Sequence, residues 1–147
     1  MKIVGIDPGK AGGIAVVDGT EVTAMPMPET AKDVLETFRE IGTADWVVLE
    51  KVGAMPGDGG VAMFTFGKGV GHLEMALLAC GLRFVEVTPA KWMGEMGMRK
   101  KGGESRPQFK NRLKGLAQQL YPTVKVTLKT ADALLLAEWG RRVLVKS

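Results

Sequence analysis

Asp7, Glu50 and Asp132 are the acidic residues of this 147-residue chain whose surroundings look least like a solvated surface. Asp7 closes the apolar run KIVGID, Glu50 closes DWVVLE, and Asp132 is the only acid in LKTADALLLA. A carboxylate at the end of a buried strand is costly unless something positive lies beside it. The partner is a metal ion, a phosphate-bound cation, the N–H groups of a turn, or a lysine. If parallel strands bring Asp7 and Glu50 to one sheet edge and the helix carrying Asp132 packs across it, three hard oxygen donors converge. Such a set suits Mg²⁺ or Mn²⁺. Two of these ions roughly 3.5–4 Å apart activate a water and stabilise the leaving oxygen in phosphodiester cleavage. Each acid also has an ordinary alternative. Asp before Pro-Gly is a common turn residue, Glu50 beside Lys51 fits a strand-end surface charge, and Asp132 fits a helix N-cap with Ala133 first in the helix.

Charge supplies a second signal. The formal net charge is +4, but residues 1–50 hold four basic side chains against nine acidic ones. The excess of positive charge therefore lies further along, and between Arg99 and Lys114 there are seven basic residues and one acid, Glu104. A patch of this kind points to a polyanionic partner, with a solvated loop and helix face as the alternative. That alternative suits Arg112 best. Arg99, Lys100, Lys101, Arg106, Lys110 and Lys114 are the candidate phosphate contacts.

These groups need a scaffold, and the pattern describes an α/β one. KIVGID reads as a buried strand, and GGIAVVDG and EVTAMPM as a hairpin across Asp18-Gly19. Thr30 caps a helix whose Val34, Leu35, Phe38 and Ile41 share a face, and Gly42 stops it. DWVVLE is the next strand, GAMPGDGG (53–60) a flexible loop, and residues 62–80 a long helix. LRFVEVTP is the fifth strand and PAKWMGEM a short helix. RKKGGES reads as a mobile basic loop, RPQFKNRLKGLAQQLY as a basic helix ended by Pro122, and KTADALLLAEWGRRVL as a closing helix. Three adjacent strands followed by alternating helix and strand imply one domain, residues 1–147, built on a mixed five-stranded sheet with helices on both faces.

The totals exclude several classes. At 46% apolar and 24% charged the chain reads as an ordinary soluble globular protein. No apolar run reaches the ~18 residues of a membrane span, and the N-terminus lacks the pattern of a signal peptide. One cysteine, Cys80, leaves no internal disulfide and fits a reducing cytoplasm. With a single histidine, His72, it makes a zinc site improbable. His72, Cys80, Trp46, Trp92 and Trp139 read as packing residues.

At the acidic motifs the sequence resembles the RuvC-type Holliday-junction resolvases of the RNase H-like superfamily. GIDPG (5–9) is similar to the family's first motif, VVLEKV (47–52) to the strand ending on its glutamate, and ADALLLA (131–137) to its last motif. RFVEVTPAKW resembles the strand and Pro turn ahead of the family's basic loop, and the short length resembles phage-type members. The resemblance implies an RNase H-like fold and a homodimer in a bacterial or phage-infected cell. That dimer binds a four-way DNA junction and nicks two opposed strands, with two Mg²⁺ or Mn²⁺ ions on Asp7, Glu50 and Asp132. It implies dimerisation through the helix at 62–80, where Gly67 and Gly71 lie one turn apart.

The sequence departs from the family at three places. Lys129 stands where a fourth ligand is expected, three residues before Asp132 and on the same helix face, which makes it a candidate catalytic residue of another kind. Gly53 stands in the place of the aromatic wedge, leaving Phe64 or Phe66 for that role. Met93 stands where a basic residue is expected, with Lys91 two places earlier. Three other functions compete: an RNase H-like enzyme acting on RNA–DNA hybrids or RNA, a catalytically silent DNA-binding module, and an actin-like ATPase fragment with DPGKAGG as phosphate loop. The last lacks a second phosphate loop.

Overall fold

Strand β1 (Lys2–Asp7) alternates its side chains between two cores, and the whole architecture follows from that period. Ile3 faces one core and Val4 and Ile6 the other. The computed structural model describes residues 1–53 and 57–145, so part of the expected loop at 53–60 lies outside the described residues. The remaining elements are β2 (Gly13–Asp18), β3 (Glu21–Pro26), α1 (Ala31–Ile41), β4 (Trp46–Glu50), α2 (Gly60–Ala79), β5 (Phe84–Val87), α3 (Pro89–Glu95), α4 (Arg106–Leu120) and α5 (Ala131–Val143). The five strands form one mixed sheet in the order β3-β2-β1-β4-β5. β1 pairs antiparallel with β2, β2 with β3 likewise, and β1–β4 and β4–β5 are parallel. This is the RNase H-like mixed sheet that the sequence implied.

Local chemistry explains the element ends. Asp18 pairs with Glu21, leaving Gly19-Thr20 as a two-residue turn with Gly19 at φ 60°, the conformation a glycine fills in tight hairpins. Thr30 caps α1 by accepting the Asp33 N–H at 3.0 Å, and Gly42 ends the helix at φ 75°. Thr88 caps α3, where Pro89 opens the first turn and cuts β5 shorter than its apolar run. Ser105 and Gln108 form a reciprocal capping box at the start of α4. Helix α2 starts at Gly60, two residues before the expected Ala62.

Helices α1 and α2 cover one sheet face, burying Val34, Phe38, Leu73, Ala76 and Leu77 against Val4, Ile6, Val47 and Leu49. Helix α5 lies across β1, β2 and β4 on the other face, with α3 and α4 packed beside it. Ten consecutive residues of α5, Ala131 to Gly140, are buried. A helix buried all round needs close contact with the sheet, and Gly5 and Gly140 provide it. A Cβ on Gly5 would overlap the Ala133 carbonyl and press on the Ala137 N–H, while one on Gly140 would meet Val48 and Ile3.

Gly5→Ala is therefore expected to destabilise the fold by about 3 kcal/mol or more, because backbone cannot yield as a side chain does. Gly115→Ala, in the interior of α4 with open space around it, is expected to stabilise by about 0.5–1 kcal/mol. Denaturant melts of the two variants check both signs.

Candidate active site

The period-two pattern that sends Ile3 toward α5 also sends Asp7 there, and in β4 it sends Glu50 there after Val48. The parallel register pairs Ile6 with Leu49, so Asp7 and Glu50, one step further, end adjacent strands on the same face. Helix α5 starts over those ends. Thr130 is its N-cap, and Asp132 lies in the first turn, so Asp132 is not the N-cap. There the partial positive charge of the helix N-terminus favours a carboxylate.

Glu50 and Asp132 are each 6% exposed, and Asp7 is half-buried. Burial, then the charges of Glu50 and Asp132, pushes the Asp7 carboxyl up to about 9, against a partial offset from Lys110. Burial also raises Asp132, offset in part by Lys110. Glu50 is raised by burial, opposed by a hydrogen bond from Trp92. Among the described residues no backbone N–H is among the groups acting on the Asp7 carboxyl, so nothing there supports the turn-capping alternative. The lysine alternative holds for Asp132, whose Oδ2 lies 3.6 Å from Lys110 Nζ on α4.

Two residues do work here that their sequence settings did not reveal. Trp92, fully buried on α3, donates its indole N–H to Glu50 Oε2 at 2.7 Å. It is a packing residue as expected, but it also fixes the orientation of Glu50. Lys110, a candidate phosphate contact in the sequence, stands beside the carboxylate cluster. Its only sequence signal was the spacing of Arg106, Lys110 and Lys114, which share one face of α4 at intervals of four.

The other expected residues distribute as follows. Lys129 is exposed in the turn before α5, its carbonyl packed against Gly13. Phe66 reaches the site's rim, lying over Gly9 in the turn after Asp7, whereas Phe64 is 73% exposed on the outer side of α2. Lys91 is paired with Glu95 at 2.6 Å. Lys100, Lys101 and Arg106 are exposed and Lys114 is half-buried. Arg99 is also exposed, its guanidinium lying against Gly94. Arg112 departs from its expected place on a solvated face. It is tied to Glu104 through two hydrogen bonds and is only 23% exposed. Trp139 is buried and donates to Glu95 Oε2, and Trp46 lies half-buried beneath the Arg83 guanidinium.

Glu138, the other buried acid of α5, is saturated. Burial raises its carboxyl, but Arg141, Tyr121 and Arg142 together outweigh that and hold it low. Asp7, Glu50 and Asp132 have no such surplus of cations. Among the described residues Lys110 is the one cation acting on these three carboxyls, and the donors are all hard oxygens, so the set fits a divalent cation. Among the described residues no three of Asp, Glu, His and Cys are drawn together closely enough to cage an ion as they stand.

The fold has solved counterparts. Thermus thermophilus RuvC in complex with a Holliday junction substrate superposes with a TM-score of 0.65 at 17% identity, over 97% of this chain and 96% of that one. This is the RuvC fold. A second Thermus thermophilus RuvC structure matches at a TM-score of 0.62 and 19% identity, over 97% and 96% of the two chains. The Fowlpox virus resolvase, solved with substrate Holliday junction DNA, matches at 0.52 and 16% identity, over 99% and 100%. No protein-family model and no curated protein sequence matches the chain. Within the RuvC fold the three acidic motifs of this sequence lie on β1, β4 and α5.

The raised Asp7 carboxyl has a consequence for stability. Between its ordinary 3.8 and about 9, the folded chain retains a proton that the unfolded chain has released, so stability of the metal-free protein falls as pH rises through that window. Asp7→Asn removes this penalty. It is expected to stabilise the metal-free protein at pH 8 by about 2 kcal/mol, or about 4–8 °C in Tm for a domain of this size. Melting curves across pH should show the gap closing near pH 4.

Proposed function

We propose that this chain is a metal-dependent endonuclease that resolves four-way DNA junctions, acting as a homodimer that nicks two opposed strands. The observation that carries the reading is the convergence of Asp7, Glu50 and Asp132 beside the basic face of α4 in a RuvC fold. The Thermus and Fowlpox proteins are both seen with Holliday junction DNA, and the substrate is proposed by that likeness.

In this reading residues 1–147 act as one nuclease domain, in the cytoplasm of a bacterial or phage-infected cell. Asp7, Glu50 and Asp132 hold Mg²⁺ or Mn²⁺, in the two-ion form if a pair binds, and bound ions supply an activated water and a sink for charge on the leaving oxygen. Trp92 occupies one oxygen of Glu50 and so limits how that carboxylate turns. Lys110 balances Asp132 and has the reach to meet the scissile phosphate. Arg106, Lys110 and Lys114 continue as a stripe along α4 into Arg99, Lys100 and Lys101, which take phosphates of the arms without reading sequence. Lys91 joins them by exchanging Glu95 for a phosphate. Phe66 at the rim, with Phe64 beyond it, contacts the unpaired bases at the junction centre.

Dimerisation is proposed through the outward side of α2. Phe64, Met75 and Leu78 are 73%, 64% and 65% exposed there. With Gly67 and Gly71 they follow the three-and-four spacing of one helix face. Gly67 and Gly71 have open space above them, room for a second helix. Among the described residues no helix is long and apolar enough to cross a membrane.

Incubation with a synthetic four-way junction, a plain duplex and an RNA–DNA hybrid, each with and without Mg²⁺, tests the proposal. Paired nicks in the junction that require Mg²⁺ are expected. Asp7→Asn should abolish them while junction binding stays within a few-fold of wild type. Preferential cutting of the hybrid identifies the related hybrid nuclease instead, binding without cutting identifies a silent module, and cleavage by Asp7→Asn at saturating Mg²⁺ removes Asp7 from the site.

The two lysines near Asp132 separate in the same assay. Lys110→Ala is expected to slow cleavage by about 10- to 100-fold. A role for Lys129 requires that Lys129→Ala also slow it and that Lys129→Asp shift the Mg²⁺ and Mn²⁺ dependence. Wild-type behaviour of both variants leaves Lys110 as the sole lysine acting there.

A further inference from the structure

The single acid of the basic segment is the best-anchored side chain in it. Arg112 donates from Nε to Glu104 Oε2 at 2.8 Å and from a terminal nitrogen to Oε1 at 3.1 Å. The same nitrogen donates to the Arg99 carbonyl at 2.7 Å. Glu104 Oε1 also accepts the Lys101 N–H at 3.0 Å, and the Glu104 N–H returns to the Lys101 carbonyl at 3.1 Å. The Arg112 guanidinium stands 5.4 Å from the centre of the Phe109 ring, and the Glu104 side chain is 12% exposed. Arg112, with the Lys101 N–H, holds the Glu104 carboxyl down at about 2.

We infer that Glu104 and Arg112 form a clasp that fixes the basic loop 99–105 in the shape in which it meets nucleic acid, so that this acid raises affinity for a polyanion. The inference rests on the reading of the segment as the DNA-binding face. The clasp joins the first residue of the loop, its last acid and the second turn of α4. Between those points lie Gly102 and Gly103, the latter at φ 78°. Such a loop, left free, loses backbone freedom worth about 1–2 kcal/mol for each residue fixed on binding. The clasp fixes the loop beforehand, and affinity rises by the entropy no longer lost on binding. It also leaves the Lys100 and Lys101 side chains exposed, outside every ion pair among the described residues. The loop is therefore not the mobile segment that its glycines suggest.

The test is one of sign. Long-range electrostatics alone requires Glu104→Gln, which removes one negative charge, to tighten binding, and Arg112→Gln to weaken it, with the two effects additive. The clasp requires both to weaken junction binding by about 3- to 10-fold, and the double variant to be no weaker than either single one. Arg112→Lys, which keeps the charge and loses the planar fork, is expected to weaken binding as well. The salt slope should stay at the wild-type value in Glu104→Gln, because the same phosphates are neutralised. In a Lys100→Ala, Lys101→Ala variant it should fall by about 0.9 for each phosphate left without its lysine.

Limited trypsin digestion gives a readout without DNA: cleavage at residues 99–101 should quicken in Glu104→Gln and in Arg112→Lys. Binding that is unchanged or tighter in Glu104→Gln overturns the clasp, as do additive effects. If the wild-type protein binds no DNA, the nuclease reading fails. Trypsin then decides the clasp alone, and an unchanged rate overturns it.

Discussion

The close approach of α5 to β1 is the constraint on which the rest depends. Gly5 lets the helix backbone lie directly on the strand, and the strand then carries Asp7 two residues on, beneath the first turn of that helix. A side chain at position 5 would collide with the α5 backbone at Ala133, the residue next to Asp132. The first glycine of the GIDPG motif, Gly5, is thus a spacing device for the acid that follows it. Gly140 does the same at the far end of the helix, against Ile3 and Val48, so α5 is seated at two points and its tilt is set. Burial of ten successive residues gives this seating its energy.

The site that results is unbalanced by construction. Three acidic side chains from separate elements crowd one another in a place where water is scarce, with one lysine beside them among the described residues. Glu138 shows that the same helix can balance an acid fully, with two arginines and a tyrosine. The two acids differ in what surrounds them, and the contrast separates a structural charge from one kept short of partners. Trp92 belongs to the same arrangement, since its N–H steadies Glu50 without neutralising it.

Much of this was legible in the sequence, for physical reasons. Strand ends on Asp7 and Glu50 are marked by the loss of apolar character, and the caps at Thr30 and Ser105 by residue type. Five strands in the right places followed from apolar runs bounded by turns. What escaped was tertiary. Nothing in the spacing of Lys110 says that α4 turns it toward Asp132, because phosphate-facing and carboxylate-facing lysines look alike on a helical wheel. Trp92 reads as core because its one polar atom is silent in any hydrophobic count. The loop at 99–105 reads as mobile from its glycines and lysines, and the pairing within it that composition hides joins Glu104 to Arg112 in the next helix. Asp132 reads as a plausible cap because Thr130, the actual one, uses its hydroxyl on Thr127 instead.

The sheet also divides the molecule into compartments. Among the described residues the buried apolar side chains of α1 and α2 belong to the core beneath one face, and those of α3, α4 and α5 to the core beneath the other. Phe66 of α2 lies over the turn at Gly9, two residues after Asp7. Sequence drift in the α1–α2 layer can therefore be repaired within that layer, without passing through the residues that hold the acids. A lineage built this way can exchange one entire side of its surface while inheriting the other. The fold can then outlast recognisable sequence, and here it is shared with solved structures at 16–19% identity.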